Sequence, residues 1–363
     1  AATVADTVAV AEGHYVEHVT LKDRVVLLGG YRSDFAVRDP VTYPAVLDAG
    51  GFLSTVVAQS GQGPLTVLDG FVITGGNRSG GYGGGLDCFN ASPVVRNNVF
   101  IGNRARQGGA IACRAGALPL ITGNVLIDNH ALDHPGGAIY VETAVEILAN
   151  TLDGNRGPSA SGIAATAGAR PIVSRNIIVQ GSGIGVYAEN GAVPVLGCND
   201  VWMNIGGNYF GVLPGANSLN LDPLFCPGDE HTLSGASPCA PPNSPAACGL
   251  IGAREVGCLT VAVADPKAVP AEPWLGPVAP NPTAGPASLV FALPAPAPVM
   301  VAVHDAAGRR VRTLIDERVE PGEHRTQWDG RTDRGGRAAS GIYFFRLLID
   351  GRSIGERKLV YLH

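Results

Sequence analysis

The sequence predicts an all-β chain in two parts, a parallel β-helix solenoid followed by a small antiparallel β-sandwich. Three observations carry this. Five segments starting at Pro93, Pro119, Val145, Pro171 and Pro194 align without gaps, and their central asparagines Asn98, Asn124, Asn150, Asn176 and Asn199 step by 26, 26, 26 and 23 residues. A self-similar period in this range marks a solenoid. A second short run follows glycine between the segments, as in GGGLDC from Gly83, GGAIAC from Gly108 and GGAIYV from Gly136. Finally, past residue 279 the chain alternates apolar and polar residues between turn signals, the pattern of hairpins.

Within the repeat, two columns are apolar in every copy: Val95, Ile121, Ile147, Val173, Leu196, and Phe100, Leu126, Leu152, Ile178, Val201. β-branched residues dominate and no helical stripe appears. Each coil therefore holds at least two short strands separated by turns, stacked about 4.8 Å apart. The asparagine column is expected at a tight corner, because Asn tolerates the left-handed region and stacked amides hydrogen-bond from coil to coil. A second corner column follows five residues later at Asn103, Asn129, Asn155 and Asn204, with Gly181 in the remaining copy.

Cysteine usage divides. Cys88 and Cys113 share a column that Val141 continues, so they are expected to be buried, unpaired and apolar. Of Cys198, Cys226, Cys239, Cys248 and Cys258, four lie in a Pro-rich, irregular stretch that covalent staples stabilise most, in an oxidising compartment. A Cys239–Cys248 bond and a second among Cys198, Cys226 and Cys258 are expected.

Residues 1–258 are thus assigned to the solenoid and its cap, 259–278 to a Pro-rich linker, and 279–363 to the sandwich. In the last part Val299, Val301 and Val303 precede a turn at Asp305. Val311, Thr313 and Ile315 follow, then His324, Thr326 and Trp328, then Tyr343, Phe345, Leu347 and Ile349. About seven strands are expected.

The GG-x-I-x-x and N-x-x-x-x-N repeats resemble the right-handed parallel β-helix proteins of the pectin-lyase-like superfamily, especially their non-enzymatic bacterial surface members. The opening ADTVAVAEGHYVEHVTLKDRVVLLGGY from Ala5 resembles that family's first coils, without the capping segment that usually precedes them, and Asn220 to Cys258 resembles the terminal coil and cap of secreted members. Residues 280–363 resemble the FlgD-like immunoglobulin-fold domain at the C-termini of secreted bacterial proteins, on PNPTAG from Pro280, VAVHDAAGRRVRTL from Val301 and PGEHRTQWDGRTDRGGRAASGIYFFRL from Pro321. Related domains act as sorting signals for type IX secretion; this chain keeps a single lysine, Lys358, near its end. The resemblances imply an extracellular or cell-surface bacterial protein.

Composition narrows the function. The chain has 363 residues, 50 glycines and 16% charged residues, and no stretch approaches the roughly 20 apolar residues of a membrane-spanning helix. From residue 279 onward the net charge is +3 and before it −8. No basic run or aromatic platform suits nucleic acid. Ordinary surface variation accounts for such a split; the sharper expectation, from opposed charge and an uncapped β-helix end, is head-to-tail self-association, where a heterologous contact that does not close builds a filament.

Catalytic constellations are sought and not found. A glycosidase of this fold needs paired carboxylates. Asp128 and Asp153 fall in offset columns, Asp87 stands among glycines, and His14 has no carboxylate set near it in sequence. His130 and His134 flank Asp133 in a Pro-Gly-Gly loop, where solvent exposure is expected over metal binding. The Asp329–Asp333 loop is expected to be a hairpin turn rather than a calcium site. No cofactor is implied. The expected function is a non-catalytic secreted structural protein. A carbohydrate-binding or polysaccharide-degrading β-helix, with Trp202, Tyr187 and Tyr209 as aromatics to watch, and a monomeric adhesin are the rivals.

Overall fold

A computed structural model describes residues 5–59, 61–227, 231–258, 273–279, 281, 283 and 285–361. Every regular element among them is a strand. The chain divides into two compact units, the solenoid with its C-terminal segment and the C-terminal sandwich.

The solenoid is built from three parallel sheets of eight strands each. In the coil that starts at Pro93, Val94–Arg96 belongs to sheet I, Val99–Ile101 to sheet II, and Ile111–Arg114 to sheet III. A short three-stranded sheet, including Arg104–Gln107, lies in sequence between sheets II and III. Register is strict: Val95 pairs with Ile121 and Leu68, and Phe100 with Leu126 and Ile73. Strand alternation then sends these columns inward, where Leu68, Val95, Ile121, Ile147 and Val173 have no exposed surface. Burying each such side chain contributes roughly 1.5–3 kcal/mol. Cys88 and Cys113 are paired in register, buried and free, and Val141 follows them in the column.

The sequence repeat shows five coils and the structure eight strands per sheet. The earlier coils escape the pattern because Phe71 and Gly76 stand where later coils carry asparagine; their backbone N–H groups donate to Asn98 and Asn103 at 3.0 and 3.1 Å.

The corner expectation needs a correction. The left-handed residue is not the ladder asparagine but the one before it: Asn97, Gly123, Ala149, Arg175 and Cys198 have φ of 55, 65, 52, 58 and 57°. That residue reverses the chain and turns the following asparagine inward. Asn98, Asn124, Asn150, Asn176 and Asn199 are all fully buried. In Asn124, Asn150, Asn176 and Asn199 the Oδ1 accepts both the backbone N–H and the Nδ2–H of the preceding coil's asparagine, at 2.9–3.1 Å. Each Nδ2 also donates to a carbonyl of the preceding coil, such as Asn124 to Val95 at 2.9 Å. Polar atoms buried in this way are affordable only because all are satisfied. The second corner repeats the device through Asn103, Asn129 and Asn155. It is interrupted at Gly181, where a Cβ would sit 2.0 Å from Ser161 Oγ, and resumes with Asn204.

Past the last coil the chain folds back along the outside of sheet II. Leu233, Cys239, Ala240, Cys248 and Ile251 pack on Ile177 and Val179. Ala253 N–H donates to Thr151 Oγ1 at 3.0 Å, and Gly252 N–H to Arg175 O at 2.7 Å. The expected cap is therefore also a strap along one flank. This placement overturns the expected Cys239–Cys248 bond: the disulfide joins Cys198 to Cys248, while Cys239 is free, buried, and donates its S–H to Asp200 Oδ2 at 3.2 Å. Cys226 and Cys258 are also disulfide-bonded.

The C-terminal unit has sheets of three and four antiparallel strands. Its first strand, Trp274–Ala279, lies in the stretch expected as linker; it occupies a sheet edge, where Pro277 is tolerated. Residues 259–272 of that expected linker lie outside the described residues. Trp328 is fully buried against Tyr343, Phe345 and Tyr361, and its Nε1–H donates to Arg331 O at 2.7 Å.

Candidate functional site

The outer face of sheet III collects the chemistry that the core does not use. Leu86 and Cys88 point inward, so Asp87 between them points out. Parallel register then places Asp87, Ala112, Tyr140, Ala164, Tyr187 and Phe210 in one outward column. The alanines leave room for the tyrosines, and Tyr140 packs over Ala112, Ala160 and Ala164. Beside this column Phe89 pairs with Arg114. Glu142, Thr166 and Glu189 continue the line, each directly after a residue of the aligned set Val141, Ala165, Ala188.

The groups are tied to one another. Arg114 Nη2 reaches both oxygens of Asp87, at 3.0 and 2.9 Å, and its guanidinium lies 4.1 Å from the Tyr82 ring centre and 5.0 Å from that of Phe89. Tyr140 donates to Glu142 Oε1 at 2.9 Å and accepts from Thr166 at 3.0 Å. Tyr187 donates to Glu189 Oε2 at 2.7 Å and stacks on Phe210 at 4.9 Å and 10°. Burial pushes the Asp87 carboxyl up, with Arg114 opposing it. Burial raises Tyr140 to about 12, and the hydrogen bond to Glu189 raises Tyr187 to about 12, so both hydroxyls stay protonated donors at neutral pH.

Such a strip can stack sugar rings on exposed aromatic faces, here Phe89 and Phe210, and bind hydroxyls with paired carboxylates. Glu142 and Glu189 sit two strands apart, about 9.6 Å between backbones. A retaining glycosidase pair is about 5.5 Å apart.

No aligned acids were expected, and Glu142 and Glu189 correct that. Their signal is present as Tyr-x-Glu at 140–142 and again at 187–189, but the step of 47 residues hides it, because the loops between these coils differ in length. Of the aromatics to watch, Tyr187 lies on this face. Trp202 packs under the strap and Tyr209 against the solenoid core.

The other candidates are dispersed. His14 binds Asp48 at 2.8 Å, a carboxylate 34 residues away. Asp153 pairs with His231 of the strap at 2.9 Å, and Asp128 with Arg156 at 3.5 Å. His130 and His134 are half-buried rather than solvent-exposed, and His134 bonds Arg106 at 2.9 Å. Asp329 accepts from the backbone N–H of Arg331, which is turn chemistry, and Asp333 from that of Thr313 in the strand Arg310–Val319. Among the described residues no group of three or more His, Cys, Asp or Glu is placed to hold a metal ion.

Residues 281–348 match the FlgD Ig-like domain family. The match lies within the C-terminal unit, between its first strand Trp274–Ala279 and its last strand Arg352–Tyr361, and leaves the solenoid outside it. No curated protein matches the chain.

Proposed function

We propose that this chain is an extracellular structural protein of a bacterial surface, in which the solenoid is a rigid element and the Ig-like domain serves sorting, anchoring or assembly. The observation that carries the reading is the asparagine ladder. Five consecutive coils spend a fully buried, fully bonded side chain on joining coil to coil, which stiffens the stack along its axis. Two disulfides favour an oxidising compartment. In this reading the rods stack head to tail into a filament. Electron microscopy of native secreted material tests it: filaments with an axial repeat near one chain length support assembly, and dispersed single rods sink it.

A second reading, a glycan-binding surface protein, is favoured by the Tyr140–Glu142 and Tyr187–Glu189 pairs beside Phe210. Glycan-array binding that is lost in Tyr187→Ala supports it. Equal binding by the variant removes sheet III from consideration.

A further inference from the structure

The short sheet between sheets II and III gathers basic residues that are far apart in sequence. Arg104 lies opposite His130, and His130 is bridged in register to Arg156. One outward column thus carries Arg104, His130 and Arg156 on three successive coils, about 4.8 Å apart per step. Arg106, two residues after Arg104 and on the same face, adds a guanidinium about 6.8 Å away along the strand. The three arginines are exposed and His130 is half-buried.

Burial, and then the two arginines beside it, lower the His130 pKa below the usual imidazole value, so the column presents two guanidinium charges on either side of a neutral ring. Compensation within the chain is incomplete. Asp128 reaches Arg156 at 3.5 Å, but among the described residues no carboxylate pairs with Arg104 or Arg106. Composition does not explain the column either, since residues 1–278 carry a net charge of −8. Guanidinium forks bind phosphate and sulfate bidentately, and a tetrahedral oxyanion offers oxygens to two arginines at once. A charge pattern repeated coil by coil matches a repeated ligand.

We propose that the column Arg104–His130–Arg156, together with Arg106, is a binding ladder for a polymer other than nucleic acid that bears repeated tetrahedral oxyanions, phosphate or sulfate. This site is separate from the sheet III face and does not depend on it.

The test uses the full chain with four probes: inorganic polyphosphate, dextran sulfate, polygalacturonate and duplex DNA. Saturable binding of polyphosphate or dextran sulfate is expected, weakening as salt rises. It should fall at least about tenfold in Arg104→Ala/Arg106→Ala and stay unchanged in Arg170→Ala, which removes an exposed arginine outside this sheet. The tighter of the two polymers identifies the oxyanion. Thermal melts establish that the double variant is folded; both side chains are exposed, so it should be. The proposal is overturned if neither polymer binds at low salt or if the double variant binds like the wild type. Equally tight binding of polygalacturonate, or binding of DNA alone, overturns it as well.

Discussion

Asn124 places two hydrogen bonds on one atom of its neighbour: its backbone N–H and its Nδ2–H both donate to Asn150 Oδ1, at 2.9 and 3.0 Å. The same Asn150 passes its own two donors to Asn176. Each ladder residue is thus acceptor for the coil before it and donor to the coil after it. Removing one leaves unsatisfied groups on both sides.

Asn150→Ala should therefore cost about 3 kcal/mol or more, since two donors of Asn124 and the carbonyl of Ile121 lose partners without access to water. Asn150→Asp should also destabilise, because a buried carboxylate cannot donate to Ile121. Urea melts of the isolated variants measure both. A cost under about 0.5 kcal/mol in the alanine variant would show the ladder to be ornamental.

The second ladder has a gap that steric contact explains. Gly181→Asn should destabilise by about 2 kcal/mol, because its Cβ meets Ser161 Oγ at 2.0 Å. Adding Ser161→Gly should recover stability and close the ladder between Asn155 and Asn204. A double variant no more stable than the single one would mean that Ser161 is not the obstruction.

Disulfide mapping of unreduced peptides should recover a Cys198–Cys248 link and a free thiol at Cys239. Cys248→Ala should cost about 4 kcal/mol, from the 50-residue separation that the bond closes. It should loosen the strap first, read as faster hydrogen exchange at Ile177 and Val179. A recovered Cys239–Cys248 peptide would contradict the pairing.

Asp200 has no exposed surface, and burial raises its carboxyl above the ordinary value of about 3.9. An acid raised on folding contributes stability that is complete below its unfolded pKa and is lost as pH rises through the folded one. Melting temperature should accordingly fall as pH is raised from about 4 toward neutrality. Asp200→Asn retains an acceptor for the Leu221 N–H, bonded at 3.1 Å, and should flatten that part of the profile. An unchanged profile in the variant would assign the pH dependence elsewhere.

The inward columns were legible in the sequence because every coil must fill the same cross-section. Val95, Ile121 and Ile147 recur at one spacing for that reason, and Asn98, Asn124 and Asn150 because each amide needs the next. The left-handed corner was misplaced by one residue, since Asn, Gly, Ala, Arg and Cys all occupy it and leave no residue signature. The hairpins of the C-terminal unit were legible from alternation, except Trp274–Ala279, where two prolines and a glycine nearby read as linker.

By itself the sequence determined the period, the parallel stacking and the interior, because burial imposes the same demand on each coil. Tertiary structure decided what lies outside. The strap on sheet II, the Cys198–Cys248 bond and the alignment of the Tyr140–Glu142 pair with the Tyr187–Glu189 pair depend on register between coils whose connecting loops differ in length; the Arg104–His130–Arg156 column keeps the 26-residue step of the corner asparagines, and stacking decides that it faces outward beside Arg106. Outward positions share no core volume, so no repeated residue announces them, and only stacking brings them together.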